Sequence, residues 1–228
     1  MAEDVLDNPV HHSLTGAHRL LALTEGRVLR YPPDVSPFMA VPQDVTAQDW
    51  ADLARLSGGG PVLLHQDPDA VPAEWHPVRR LTVVQMTGAH VQTGRRQLPL
   101  PYRAEVLGPD DADDMVRLAA LTKPGPFERR TRELGTYLGV RDNGRLVAMA
   151  GERMKPGGWS EISAVCTAPA HRGRGLARAL MEALVDAIRE RGEQPFLHVV
   201  EGAPAAGLYE AMGFTARRTL LVSSYRPG

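Results

Sequence analysis

The sequence is poor in cysteine, since Cys166 is the only one among 228 residues. A single thiol excludes an intramolecular disulfide and a metal site built from several thiolates. Long apolar runs are also missing, and the acidic N-terminus MAEDVLDNPV lacks the basic and apolar regions of a signal peptide. These absences predict a protein of a reducing compartment, and we expect it in the cytoplasm with no membrane partner.

The chain has little net charge, because 26 Lys and Arg residues nearly balance 27 Asp and Glu residues. A dedicated nucleic-acid binder is strongly basic, so we expect no nucleic-acid partner. The charge is uneven, however: residues 1–101 carry 8 basic and 11 acidic side chains, whereas residues 102–228 carry 18 and 16. The second half therefore tolerates an anionic ligand better than the first half does.

Length and composition predict a packed globular protein of one large or two small domains, since 43% of the residues are hydrophobic. Residues 88–101, GAHVQTGRRQLPLP, lose periodicity and include two prolines at their end, which is typical of an extended connector. We therefore predict a domain boundary near residue 98. It separates an N-terminal α/β domain, residues 1–98, from a second domain, residues 99–228.

The first domain is expected to mix helices and strands without carrying chemistry. A helix is predicted from Asn8 and Pro9 to Gly26, with apolar residues at helical spacing. Thr46 and Asp49 resemble the capping box of a second helix, which the glycines after Ser57 end. Short apolar runs bounded by Pro or Gly predict strands at 28–31, 62–65 and 81–86.

The second domain is expected to alternate strands and helices. Strands are predicted at 102–107, 135–141, 145–154, 160–167, 196–200 and 214–225, with helices after Pro109 and at 204–212. The pair Asn143-Gly144 suits a tight hairpin turn between the second and third of these strands. A long amphipathic helix is predicted up to Arg191, because four aliphatic residues recur every four positions: Leu176, Leu180, Leu184 and Ile188.

The segment Arg172-Gly173-Arg174-Gly175-Leu176-Ala177 lies between a predicted strand and the first turn of that long helix. Unpaired amides and the positive end of the helix dipole converge there, so such a turn binds phosphate oxygens. The lysine and hydroxyl residue of a P-loop are absent, and Arg178 stands where a dinucleotide fingerprint needs a third small residue. An ordinary glycine-containing turn before a helix is the alternative interpretation.

Three pieces between Glu161 and Phe214 form a combined pattern: ISAVCTAP at 162–169, the signature Arg/Gln-x-x-Gly-x-Gly/Ala met by Arg172, Gly175 and Ala177, and GLYEAMGF at 207–214. In this pattern the chain resembles the GCN5-related N-acetyltransferase (GNAT) superfamily, and within it the FR47-like group. The resemblance covers roughly residues 102–225. The first domain lacks the signature and is at most a degenerate relative.

The resemblance implies an α/β fold: a mixed, mostly antiparallel sheet with splayed central strands and flanking helices, preceded by the smaller α/β N-terminal domain. It implies acetyl-CoA as co-substrate, lying between the strands that end at Thr167 and Val200. The residues expected to contact it are Val165, Cys166, Thr167, Arg172, Gly173, Arg174, Gly175, Leu176, Ala177 and Arg178, the first three through their backbone.

The implied reaction moves an acetyl group directly to a primary amine. An ammonium group must first lose a proton, which costs roughly 4 to 5 kcal/mol at pH 7, and the departing thiolate must gain one. Tyr209 matches the general-acid tyrosine of the family, although packing beside Phe214 is an alternative role. Glu161 matches the catalytic glutamate of histone-acetylating members and is our first candidate for the general base, with a solvated carboxylate at the strand end as the alternative interpretation.

Other assignments stay open at this stage. Glu152, His198 or a water relay are alternative bases, and Gly202 stands where relatives often carry an asparagine. A non-catalytic, regulatory acyl-CoA-binding module is therefore the rival hypothesis. The acceptor is a small-molecule or peptide amine of unknown identity, and the protein is a monomer or a homodimer.

Two further residue types invite a chemical reading that the sequence does not favour. Cys166 has no His or Asp partner at a spacing that indicates a nucleophile, so we expect it to be buried. His11, His12 and His18 share a predicted helix but lack the i, i+4 zinc spacing with a glutamate between. We therefore assign no metal.

Overall fold

The computed structural model of the chain describes residues 4–65, 68, 71–94 and 98–228. Eleven strands of these residues form one sheet. In chain order they are β1 (Leu23–Glu25), β2 (Val28–Arg30), β3 (Phe38–Ala40), β4 (Val62–Leu64), β5 (Trp75–Thr87), β6 (Ala104–Val106), β7 (Tyr137–Asp142), β8 (Arg145–Glu152), β9 (Trp159–Thr167), β10 (Gln194–Val200) and β11 (Thr215–Pro227).

Five α-helices flank this sheet, and short 3₁₀ turns join some of the elements. The helices are α1 (Pro9–Thr15), α2 (Ala47–Ser57), α3 (Ala112–Thr122), α4 (Leu176–Glu190) and α5 (Ala205–Met212). None of the helices described is long and apolar enough to cross a membrane.

The strand order is β1-β2-β3-β4-β11-β5-β10-β9-β8-β7-β6. Most neighbours are antiparallel, and the parallel pairs are β3 with β4 and β9 with β10. The expected mixed, mostly antiparallel sheet with flanking helices is confirmed. Strand β5 precedes the predicted boundary near residue 98, yet it pairs with both β10 and β11. The division into two domains stays a prediction, and residues 95–97 of the connector lie outside the described residues.

Strands β9 and β10 pair only at their beginnings and then diverge. Their backbone register runs from Gln194 opposite Trp159 to Phe196 opposite Glu161. Strand β9 continues to Thr167 and β10 to Val200, but no β9–β10 pair is found among these described residues. The splayed central strands that the resemblance implied are therefore present.

The hydrophobic core confirms the pattern of α4. Its four regularly spaced aliphatic side chains are at most 1% exposed: Leu176, Leu180, Leu184 and Ile188. They belong to one apolar cluster with side chains of β8, β9 and β10. A second cluster joins Leu6 and Val10 of the first half to Met154 and Phe196 of the second, so the two halves share a core.

Local turn and capping signals are also confirmed. Thr46 and Asp49 form both bonds of the predicted capping box, and α2 ends at Gly58 in the left-handed region. Asn143 and Gly144 both have positive φ, as the tight turn between β7 and β8 requires. The capping box and the hairpin turn depend only on residues that are close in the sequence, so they are predictable from the sequence alone.

The first helix is shorter than predicted, and its predicted end at Gly26 was wrong. Helix α1 stops at Thr15, and His18 is buried with its ring bonded to the Tyr31 hydroxyl at 2.9 Å and the Leu134 carbonyl oxygen at 3.0 Å. These tertiary bonds turn the chain into β1. Strands β1 and β3 are additional to the prediction, and β1 lies within the span that was predicted for the first helix.

A stability measurement tests the contribution of the α4 stripe. Leu184→Ala removes a fully buried side chain and is expected to lower the free energy of unfolding by about 2–5 kcal/mol. The exposed Glu190→Ala on the same helix should change it by less than about 0.5 kcal/mol. Urea denaturation of the full chain measures both, and equal effects of the two substitutions would contradict the packing described.

Candidate active site

The loop before α4 is shaped for an anion. Gly173 and Gly175 both have φ of +77°, and no heavy atom lies within 4 Å of the position that a Cβ would take on either. Helix α4 begins without a side-chain cap, so amides of its first turn keep no partner within the helix. Backbone N–H groups without intrahelical partners at such a helix start are able to bind an anion.

Arginine side chains surround this loop. Arg172 Nε donates to the Thr167 carbonyl oxygen at 3.3 Å, while Arg174 donates to the Tyr102 hydroxyl and, at 3.2 Å, to the Ala170 carbonyl oxygen. Neither of these two arginines forms an ion pair with a carboxylate of the described residues. Arg178 is instead paired with Glu182 at 2.9 Å.

The edge of β9 that faces β10 is open beyond Glu161. The other edge pairs with β8, with Met149 opposite Cys166 and Ala148 opposite Thr167. Ala164 has a φ of +53° where the register with β8 shifts, so β9 carries a bulge there. The free backbone groups next to the splay offer hydrogen bonds to an extended ligand, as an added strand would.

Tyr209 lies on α5 and is 8% exposed. Its ring packs edge-on against Phe214 at 6.3 Å between centroids, as the alternative packing role requires. Burial and, to a smaller extent, the nearby Cys166 raise the pKa of Tyr209 to about 12. The phenol therefore keeps its proton at neutral pH.

Cys166 is buried, as expected from the sequence. Burial raises the pKa of its thiol to about 11, which leaves almost no thiolate at neutral pH. A role as nucleophile is therefore disfavoured by its surroundings. Among the residues that the structure describes, no group of three or more His, Cys, Asp or Glu side chains is arranged to hold a metal.

Glu161 is fully buried, and its carboxylate is held from two sides. Arg153 donates from Nε at 2.8 Å and from Nη2 at 2.6 Å, and His198 Nδ1 lies 2.8 Å from Oε1. Burial opposes the charge, but the Arg153 guanidinium and the His198 bond outweigh it and hold the pKa of Glu161 well below its ordinary value. Glu161 is therefore a weak proton acceptor in this state.

The hydrogen bonds around His198 fix its tautomer. Arg217 donates to the Gln85 amide oxygen at 2.8 Å, so the Gln85 nitrogen donates to the Leu6 carbonyl oxygen and to His198 Nε2 at 3.0 Å. His198 Nε2 then accepts, and Nδ1 carries the hydrogen that it donates to Glu161. Burial lowers the pKa of His198, so the ring is neutral with both nitrogens engaged.

Glu152, the other candidate base, is also fully buried. Its carboxylate pairs with Lys155 Nζ at 2.6 Å and with Arg191 Nη2 at 2.8 Å. It does not line the cavity beside the splayed strands, so nothing in its surroundings favours contact with a substrate.

A cavity of about 680 Å³ adjoins the splay, since His198 and Val200 of β10 line it. Its apolar wall comes from both halves of the chain and includes Phe38, Leu81, Val83, Val116, Phe127 and Val222. Its polar lining residues are His65, Arg79, Lys123, Arg153 and His198. A volume of this size accommodates a small organic molecule.

Several residues in or behind this cavity, unlike His198, are absent from the sequence-based prediction. Arg153 lies over the Phe38 ring at 5.1 Å, and the rings of His65 and His198 are 4.2 Å apart. Gln85, fully buried at the centre of the sheet, connects β5 to His198. No local motif marks these residues, because they meet only through pairing of strands that are distant in the sequence.

Comparison with known proteins places this geometry in a family. The FR47-like family model matches residues 137–222. A GNAT-family protein from Novosphingobium aromaticivorans is 35% identical, with 99% of this chain and 100% of that chain covered and a TM-score of 0.86. A GCN5-related N-acetyltransferase from Kribbella flavida shares the fold at 16% identity, 98% and 96% coverage and a TM-score of 0.68. A search of curated proteins finds no match.

Removal of the Glu161 charge should destabilise the protein in a pH-dependent way. Glu161→Gln leaves Arg153 buried without its anion and is expected to lower the free energy of unfolding by about 3–5 kcal/mol at pH 7. Because the folded pKa of Glu161 is depressed, its stabilisation is present above the ordinary pKa of 4.5 and is lost as the pH falls toward the folded pKa. The difference from wild type should therefore narrow below about pH 5.

Urea denaturation at pH 7 and at pH 4 measures this effect, with the exposed Glu190→Gln as the matched control. The double variant Arg153→Met/Glu161→Gln should recover part of the loss, since it buries neither charge. A single variant as stable as wild type at pH 7 would contradict the interaction.

Proposed function

Since this chain belongs to the GCN5-related N-acetyltransferase superfamily, we propose that it transfers an acetyl group from acetyl-CoA to an amine. The main support for the proposal is the edge of β9 that is unpaired beyond Glu161, which is followed in the chain by the loop of Gly173 and Gly175. An extended ligand with a diphosphate at one end fits this succession of backbone groups and helix end.

The backbone of Val165, Cys166 and Thr167 would hold the pantetheine arm of acetyl-CoA. The amides from Gly173 to Arg178 would hold its pyrophosphate, with Arg172 and Arg174 supplying positive charge. Bound there, acetyl-CoA supplies the activated acetyl group. The positive φ of Gly173 and Gly175 supports this fit, because residues with side chains would be strained in this backbone conformation. The open space beside both glycines leaves room for the ligand.

Tyr209 is the proposed general acid. In the transfer, the amine nitrogen forms a bond to the acetyl carbon while the bond from that carbon to sulfur breaks, and the Tyr209 hydroxyl donates its proton to the departing sulfur. The phenol is protonated before the reaction, as a general acid must be. Water returns a proton to the tyrosine afterwards.

We assign Glu161 to positioning rather than to proton acceptance. Its carboxylate is fully buried, has a depressed pKa and holds Arg153 and the tautomer of His198 in the cavity wall. Both nitrogens of His198 are engaged as well, so neither group is free to accept the proton of the acceptor amine. That proton is proposed to leave through water, the route that needs no dedicated base.

Loss of the Tyr209 hydroxyl should slow the chemical step. Tyr209→Phe is expected to lower kcat by about 10²-fold or more while leaving acetyl-CoA affinity within about twofold, because the substitution removes only the proton donor. Tyr225→Phe, a buried tyrosine of the β4–β11 region, is the matched control. Steady-state kinetics and calorimetry separate the two quantities, and an unchanged kcat would remove Tyr209 from the mechanism.

The loop before α4 should control cofactor affinity. Gly175→Val introduces a β-branched residue at φ +77° and is expected to weaken acetyl-CoA binding by at least about tenfold. Gly192→Val is a close control, because Gly192 has the same φ, the same open surroundings and lies after the other end of α4. Calorimetric titration distinguishes them, and equal affinity in both variants would contradict the proposed pyrophosphate site.

If wild type binds acetyl-CoA tightly but acetylates no member of a broad panel of amines, the rival hypothesis of a regulatory acyl-CoA-binding module is favoured. Gly202, in the left-handed region after β10, is the departure from the family pattern that motivates this rival.

A further inference from the structure

The cavity beside the splayed strands has an unusual electrostatic character. Arg79, Lys123 and Arg153 line it, and no acidic side chain of the described residues does. His65 and His198 contribute no charge, because burial lowers the pKa of both rings. Glu161 compensates Arg153 from behind, whereas Arg79 and Lys123 form no ion pair with the described residues. The described lining is therefore apolar with a positive excess.

Arg153 is also preorganised as a hydrogen-bond donor. Its Nε and Nη2 are committed to Glu161, and its guanidinium lies over the Phe38 ring at 5.1 Å, so the side chain has little freedom left. No bond from its remaining nitrogen, Nη1, is found among the described residues. A rigid guanidinium with an uncommitted N–H on a cavity wall is suited to a carboxylate.

We infer that the acceptor is an amino carboxylate with an apolar side chain, a molecule of amino-acid size. This inference rests on the proposed acetyltransferase function. The apolar side chain would pack against the walls formed by residues such as Phe38, Val116 and Phe127. The carboxylate would interact with Arg153 Nη1 and with the positive charges of Arg79 and Lys123.

The same surroundings disfavour acceptors with several cationic groups. A polyamine or an aminoglycoside would bring positive charge into a cavity whose described walls supply no anion, and desolvation of that charge would remain uncompensated. For an amino carboxylate, the apolar walls would lower the pKa of its ammonium group. This makes loss of the ammonium proton easier without a dedicated base, in agreement with the engaged state of Glu161 and His198.

Binding of acetylated products tests this inference directly. N-acetyl-leucine and N-acetyl-leucinamide differ only in the carboxylate and carry no amine whose pKa would complicate the comparison. Calorimetry with the full chain should give a dissociation constant for N-acetyl-leucine at least about tenfold below that for the amide. In Arg79→Gln/Lys123→Gln, this ratio should fall below about threefold, with affinity for the amide unchanged.

Arg145→Gln, an exposed arginine that does not line the cavity, is the matched control and should keep the full ratio. Equal affinities for the acid and the amide in wild type, or an unchanged ratio in the double variant, would overturn the inference.

An acetylation assay with leucine, leucinamide and spermidine distinguishes a wrong acceptor class from a wrong enzyme assignment. If spermidine is the better acceptor and N-acetyl-leucine binds no more tightly than its amide, the enzyme assignment stands and the acceptor class is wrong. If N-acetyl-leucine shows the expected preference while neither these three amines nor a broad panel of others is acetylated, the cavity assignment stands and the acetyltransferase assignment is wrong.

Discussion

The candidate site depends on one interaction, the pairing of the Glu161 carboxylate with Arg153 and His198. Glu161 is the last residue of β9 that pairs with β10, opposite Phe196, and its carboxylate is bonded to His198 two residues farther along β10. One buried anion thus links β9, β10 and Arg153, the residue that follows β8, where the splay begins. The cleft opens immediately beyond this link, with its backbone edge free.

This constraint also shapes the proposed chemistry. A carboxylate that compensates a buried guanidinium has a depressed pKa, and the same bonds commit both nitrogens of His198. The proposed site therefore combines the protonated Tyr209 with an apolar cavity whose described charged lining residues are positive. In this proposal, proton removal depends on the environment of the amine rather than on one basic side chain.

Both halves of the chain build the cavity. The signature of the family lies in the second half, but Phe38, His65 and Arg79 reach the cavity from the first. Strand β5 makes this arrangement possible, since it lies between β10 and β11 and brings Gln85 to His198. The part of the chain without a recognisable motif thus contributes to recognition of the acceptor in our proposal.

The sequence by itself determined the local features: the buried stripe of α4, the capping box of Thr46 and Asp49, and the turn at Asn143-Gly144. Each depends on residues within a turn or two, and the family motifs added the fold of the second half. Only the tertiary structure decided the end of α1, the central place of β5 and the bonds of Glu161. Gln85 and His198 are 113 positions apart, and strand pairing over such a distance is fixed by the partners that a strand meets, not by its own residues.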